Sequence, residues 1–178
     1  MASSFGGRNL INLDMFTDAY RVTGRTQVGS GGILAELSNP NTKYLEIQDA
    51  YVSRIQDPGT IVASYKMAAF RKDNINFLLL QDRRDGIPAS TTHTRSVFTR
   101  GREIPVFVTV PSFEIQGSVI HEGKVSVPDI LIQSMGRFQS IFTAKASASI
   151  QPDISYSGDL IMVQKDRIGV FCVDLQKK

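Results

Sequence analysis

Apolar side chains recur at every second position in Val106-Phe107-Val108-Thr109-Val110, and after Pro111-Ser112 the same period resumes through Phe113, Ile115 and Gly117. Period two with β-branched residues predicts a strand, a tight turn and a second strand. Gly117 falls inside that second strand, where a missing side chain permits the sharp bend a small barrel needs. Ser126 to Met135 predicts one or two turns of helix, with Ser126 as N-cap, Pro128 in the first turn and Gly136 behind it. Phe138 to Ile150 returns to strand character. Two short apolar runs, Leu160 to Val163 and Ile168 to Val173, then flank Gln164-Lys165-Asp166-Arg167, a pattern that predicts a closing hairpin.

The first half of the chain shows the same succession. Tyr20-Arg21-Val22-Thr23-Gly24 aligns with Phe113-Glu114-Ile115-Gln116-Gly117, and Lys72-Asp73-Asn74-Ile75 with Lys165-Asp166-Arg167-Ile168, both at an offset of 93 residues. Between these anchors Tyr44 corresponds to Phe138 and Ala50 to Ala144, an offset of 94. Two anchors at one offset, bracketing matched alternation, predict an internal duplication. In the first copy Gly29 to Gly32 reads as a loop and Ile33 to Ser38 as the short helix, ended by Pro40-Asn41. Tyr44 to Ile55 reads as the long strand, Asp57-Pro58-Gly59 as a turn, and Tyr65 to Phe70 with Ile75 to Leu80 as the closing hairpin. The expected organisation is therefore a first repeat over 13–83, a linker over 84–103 rich in Thr, Ser, Arg and Gly, and a second repeat over 104–175. Each half is too short to bury a generous core alone, so the halves should pack on each other or on other chains.

Composition narrows the function classes. With 42% apolar residues in 178 the chain can build a core. The net charge of +3 and the absence of long like-charge runs leave no polybasic tail. One cysteine, Cys172, excludes an intrachain disulfide framework, and two histidines leave little material for a metal centre. No apolar stretch approaches the roughly 20 residues of a membrane span, and Met1 to Arg8 lacks a secretory pattern, so a soluble, cytoplasmic protein with no membrane partner is expected.

The run Ile104 to Val110 followed by Phe113-Glu114-Ile115-Gln116-Gly117-Ser118-Val119 resembles the opening strands of the Sm-like proteins, and is most similar to the Hfq group within them. Val163-Gln164-Lys165-Asp166-Arg167-Ile168 resembles that family's last hairpin, with Asp166, and Asp73 in the first copy, where the family carries a histidine. The resemblance implies an all-β chain of two tandem Sm-like five-stranded small barrels, each interrupted by a short helix. It also implies that fourth and fifth strands pair edge to edge between neighbours and close a ring, so a homo-oligomer is expected.

No set of residues predicts catalysis. Gly24 to Ser30 has the glycine spacing of a phosphate loop without its lysine, and reads instead as a hairpin loop. Asp153-Ile154-Ser155-Tyr156-Ser157-Gly158 matches a PilZ-type signature, but Arg95 and Arg100 are spaced one residue too far for its arginine pair, leaving a turn. His121-Glu122 would point to opposite faces of a strand and reads as a solvated loop end. Cys172 reads as a small hydrophobe in the last strand. No enzyme activity, cofactor or metal is expected. The remaining feature is cationic: Lys72, Lys165 and Arg167 in the two closing turns, with Arg95, Arg100 and Arg102 of the linker, could bind a phosphate backbone. Two functions follow as expectations: a non-catalytic structural or interaction protein assembling by strand edges, or an RNA-binding Sm-like module using those cations.

Overall fold

The computed structural model describes residues 9–86, 101–133 and 136–174. Ten strands carry the fold: β1 (Asn9–Phe16), β2 (Tyr20–Val28), β3 (Tyr44–Arg54), β4 (Asp57–Arg71), β5 (Phe77–Leu80), β6 (Arg102–Val110), β7 (Phe113–His121), β8 (Phe138–Ala148), β9 (Ser155–Gln164) and β10 (Val170–Val173). Short helices α1 (Gly32–Ser38), α2 (Arg83–Gly86) and α3 (Val127–Gln133) interrupt them, and single 3₁₀ turns occupy Lys72–Asn74 and Lys165–Arg167. The protein is therefore mainly β, as the alternation predicts. Its strands form one antiparallel sheet in the order β10-β6-β7-β8-β9-β5-β1-β2-β3-β4.

That order contains one five-strand pattern twice. In the first half it runs β5-β1-β2-β3-β4, and in the second β10-β6-β7-β8-β9. Local irregularities coincide as well. The β2–β3 ladder slips at Gly24 and the β7–β8 ladder at Gly117. A Cβ on Gly24 would lie 2.9 Å from the Gln48 carbonyl oxygen, and one on Gly117 would lie 2.8 Å from that of Phe142. Facing these glycines, Asp49 and Thr143 both sit at φ 48°, so each long strand bends sharply at the same place.

The predicted closing hairpins are not formed. β4 and β5 flank the first 3₁₀ turn, yet β4 pairs with β3 while β5 pairs with β1 and β9. Likewise β10 leaves β9 and pairs with β6. A hairpin turn must return the chain alongside itself, whereas a 3₁₀ turn with extended residues on both sides redirects it across the unit. Gly24 to Val28 is likewise strand rather than hairpin loop. Strand β1 (Asn9–Phe16) includes residues before the expected repeat start at 13, Arg102 and Glu103 belong to β6, and most of the expected linker, 87–100, lies outside the described residues.

Two cores lie on opposite sides of the β5–β9 junction. Leu78, Leu80, Leu160 and Met162 point into the first, with Leu13, Met15 and Ile47 and, from α1, Ile33 and Leu37. Phe77, Leu79, Ile161 and Val163 point into the second, with Val108, Ile115, Ile141 and Ile130 of α3. The spacing of Ile33 and Leu37 puts both on one face of α1. In α3 the Ser126 hydroxyl accepts from the Asp129 amide at 3.2 Å, the N-cap its sequence position predicts. The continuous runs Phe77-Leu78-Leu79-Leu80 and Leu160-Ile161-Met162-Val163 thus have a simple cause: each strand is covered on both faces.

Candidate assembly surface

The junction of β5 and β9 pairs Phe77 with Val163, Leu78 with Met162, Leu79 with Ile161 and Leu80 with Leu160. None of these eight side chains is more than 3% exposed. Around one end, Phe16 and Phe77 stack at 4.3 Å between centroids, Phe113 meets both rings edge-on, and Tyr156 tilts against Phe16 under the Arg21 guanidinium. Polar groups lock the same end just beyond the Phe77–Val163 pair. The Gln164 side-chain amide donates to the Lys72 and Ile75 carbonyls at 2.9 and 2.8 Å, and the Gln164 backbone N–H donates to the Asn76 carbonyl at 3.0 Å. Arg137 donates to Asp73 at 2.8 Å and reaches Asp166 at 4.0 Å. This guanidinium holds the Asp73 carboxyl below its usual range.

The outer edges of the sheet are β4 and β10, again a fourth and a fifth strand of the five-strand order. Val170–Val173 of β10 and the Met67–Phe70 stretch of β4 are apolar like the junction, but their surroundings differ. Val170 is 51% exposed where Phe77 is buried, and Met67 is 55% exposed where Leu160 is buried. Cys172, expected to be packed, is exposed on β10. Tyr65 and Ile61 extend the uncovered apolar row along β4. Beside β10 lies an open groove of about 500 Å³, walled by Pro105, Phe107, Gln116, Gly117, Cys172 and Val173.

Among the described residues, the predicted cations do not form one surface. Lys72 is 3% exposed, and its ammonium donates to the Glu36 carbonyl at 2.5 Å, the Thr42 hydroxyl at 2.6 Å and the Asn39 carbonyl at 3.3 Å. It closes the end of α1, and burial lowers its pKa from the ordinary lysine value. Lys165 and Arg167 are half-buried in the second 3₁₀ turn, where burial likewise lowers Lys165. Arg102 is exposed at the far end of β6, opposite His121, whereas the second 3₁₀ turn adjoins Thr109 at the near end. Eight residues of strand between these ends span roughly 26 Å. Arg95 and Arg100 lie outside the described residues. His121, expected as a solvated end, is buried, with its Nε2 3.0 Å from the Lys124 carbonyl oxygen, while Glu122 is exposed. Sequence reasoning missed Gln164, Arg137 and Asp73 as junction residues. The available signal was the position of Gln164 and Asp73 at the two matched turns; Arg137, just before β8, carried none.

A second hollow of about 250 Å³ lies among the turns and is lined by Asp18, Tyr20, Arg54, Ser112 and Gln151 among others. The described residues contain no cluster of His, Cys, Asp and Glu able to hold a metal ion, and no helix long and apolar enough to cross a membrane. Comparisons with family models, curated proteins and solved structures return no match.

Proposed function

We propose that this protein is a non-catalytic structural component made of two copies of one Sm-like five-strand unit, and that it works by joining to further copies through β4 and β10. One observation carries the reading. The fourth strand of the second half already pairs with the fifth strand of the first, and the two strands at the sheet's outer edges are again a fourth and a fifth. The resemblance to Sm-like proteins implies this pairing between neighbours, and the repeated strand order and matched bends support it. Physically, Val170-Phe171-Cys172-Val173 has the continuous apolar pattern of a strand covered on both faces, yet it stands at a sheet margin. An apolar edge with free N–H and C=O groups is a template for another strand, and most proteins blunt such edges with charge or proline. The two margins differ, so the contact is head to tail; it closes a ring if the rotation per copy divides a full turn and extends as a filament otherwise.

Sedimentation of the purified protein across micromolar concentrations tests this. The expected result is a mass that is a multiple of 19.6 kDa and falls on dilution. A monomeric mass at every concentration removes the proposal.

A further inference from the structure

We infer that the partner at both free edges is a second copy of this chain held in the register of the interior junction, with Tyr65 as the side chain that fills the groove beside β10. This rests on the assembly reading above and adds to it the exact residues in contact. Moving each member of the β5–β9 ladder by the 93-residue offset places Val170 opposite the neighbour's Phe70, Phe171 opposite Ala69, Cys172 opposite Ala68 and Val173 opposite Met67.

Three independent features of the chain fit that register. The first is charge. Lys165 donates its backbone N–H to the Arg137 carbonyl just as Lys72 donates to the Lys43 carbonyl, so Lys43 occupies the place of Arg137. Asp166 likewise occupies the place of Asp73. The interior Arg137–Asp73 ion pair therefore becomes Lys43 of one copy with Asp166 of the next, and the sign of each partner is preserved.

The second feature is the polar lock. Gln164 bonds two carbonyls of the first 3₁₀ turn, and the residue at its place in the other half is Arg71. Arg71 is exposed and carries donors that suit the Lys165 and Ile168 carbonyls of a neighbour.

The third is volume. In the interior junction Gly158 passes so close to β5 that a Cβ there would lie 2.7 Å from both Leu79 Cδ1 and the Leu80 carbonyl oxygen. The residue at the place of Gly158 is Tyr65, which is 69% exposed; the smaller Cys172 at the place of Leu79 relieves the side-chain contact, while the backbone contact requires β4 to stand away from Val173 at this one position. Around Cys172 the wall residues Asn12 and Asp14 of the interior junction are replaced by Pro105 and Phe107, giving the apolar groove. One copy presents a large side chain and the other a matching hollow. Inside the chain the sizes are reversed, with glycine against leucine. The interior aromatic, Tyr156, sits two residues earlier on the same face, where β4 has Ala63.

Disulfide trapping tests the register, because Cys172 is the chain's one cysteine. Directly opposed residues of an antiparallel pair lie within bonding range of a disulfide. Mild oxidation of A68C should give a ladder of covalent multimers, while A69C, which faces the other side, should give none. The wild-type chain and A68C/C172S should remain uncrosslinked. Dimers of either would show like edges meeting, and overturn the inference. Assembly of the wild type without a ladder from A68C would also overturn it while leaving the proposed function standing. A wild type that stays monomeric at all concentrations would remove both. Charge reversal offers a second readout: K43D and D166K should each weaken association at least tenfold, and the double variant should recover most of it. Y65A should weaken association by a similar factor without lowering the melting temperature of dilute protein. Equal weakening by the double charge variant would overturn the ion pair, and unchanged association of Y65A would overturn the groove.

Discussion

The junction in the middle of the sheet and the two strands at its margins have nearly the same kind of sequence and opposite environments. Phe77 to Leu80 and Leu160 to Val163 are buried on both faces, whereas Val170 to Val173 and Met67 to Ala69 are open or half open to solvent. An apolar run does not therefore report burial by itself. In the middle, the other half of the chain provides the cover. At the margins nothing within the described residues does.

Truncation should expose this difference most sharply. Phe77→Ala removes a fully buried ring that contacts Phe16 and Phe113 and should cost about 3–5 kcal/mol in denaturant titrations. The matching Val170→Ala at the margin should cost less than about 0.5 kcal/mol in dilute protein. A large cost for Val170→Ala at low concentration would mean that the edge is covered within the chain.

The next effect concerns the turns that bracket the comparison. Lys72→Met leaves the Glu36 and Asn39 carbonyls without their buried donor and should destabilise by about 1–3 kcal/mol. Retained stability in thermal unfolding would show that water replaces the ammonium. Gly24→Ala and Gly117→Ala place a methyl against a carbonyl oxygen at each bend, and each should cost about 1–3 kcal/mol. Equal costs would sharpen the correspondence of the two halves, and a neutral result at one bend alone would break it.

The smallest expected effect is electrostatic. Arg137 lowers the Asp73 carboxyl below its ordinary 3.8, so the folded state holds the ionised form more tightly than the unfolded chain does. The contribution is therefore complete above that ordinary value and is lost as pH falls through the lowered one. Arg137→Met should lower neutral stability slightly, leave stability at the lowest pH unchanged, and so flatten the acid limb below about pH 4. An unchanged acid limb would show that the pair contributes nothing across the junction.

Much of the fold was readable in the residues, and the failures share one cause. The period-two runs located most strands, Ser126 with Pro128 located α3, and Gly117 marked the bend, because each depends on neighbours within a few residues. Pairing was misread at Leu160 to Val173. Two apolar strands around a four-residue polar turn suit a hairpin locally, and only the ladders show that β10 returns to β6 instead. The burial of Lys72 escaped notice for the same reason: it lies in a polar turn by sequence, but α1 and the residues after it fold over it and supply acceptors from 30 or more positions away.

Alternation, turn residues and the matched anchors of the two halves determined the strand content and the repeated succession of elements, since these follow from backbone geometry and short-range sterics. The tertiary structure alone decided that β5 and β9 meet, that their apolar runs serve two cores at once, and that β4 and β10 remain at the margins. Those outcomes depend on which distant hydrogen-bonding edges pair within one chain. The pattern of a strand does not encode its neighbour.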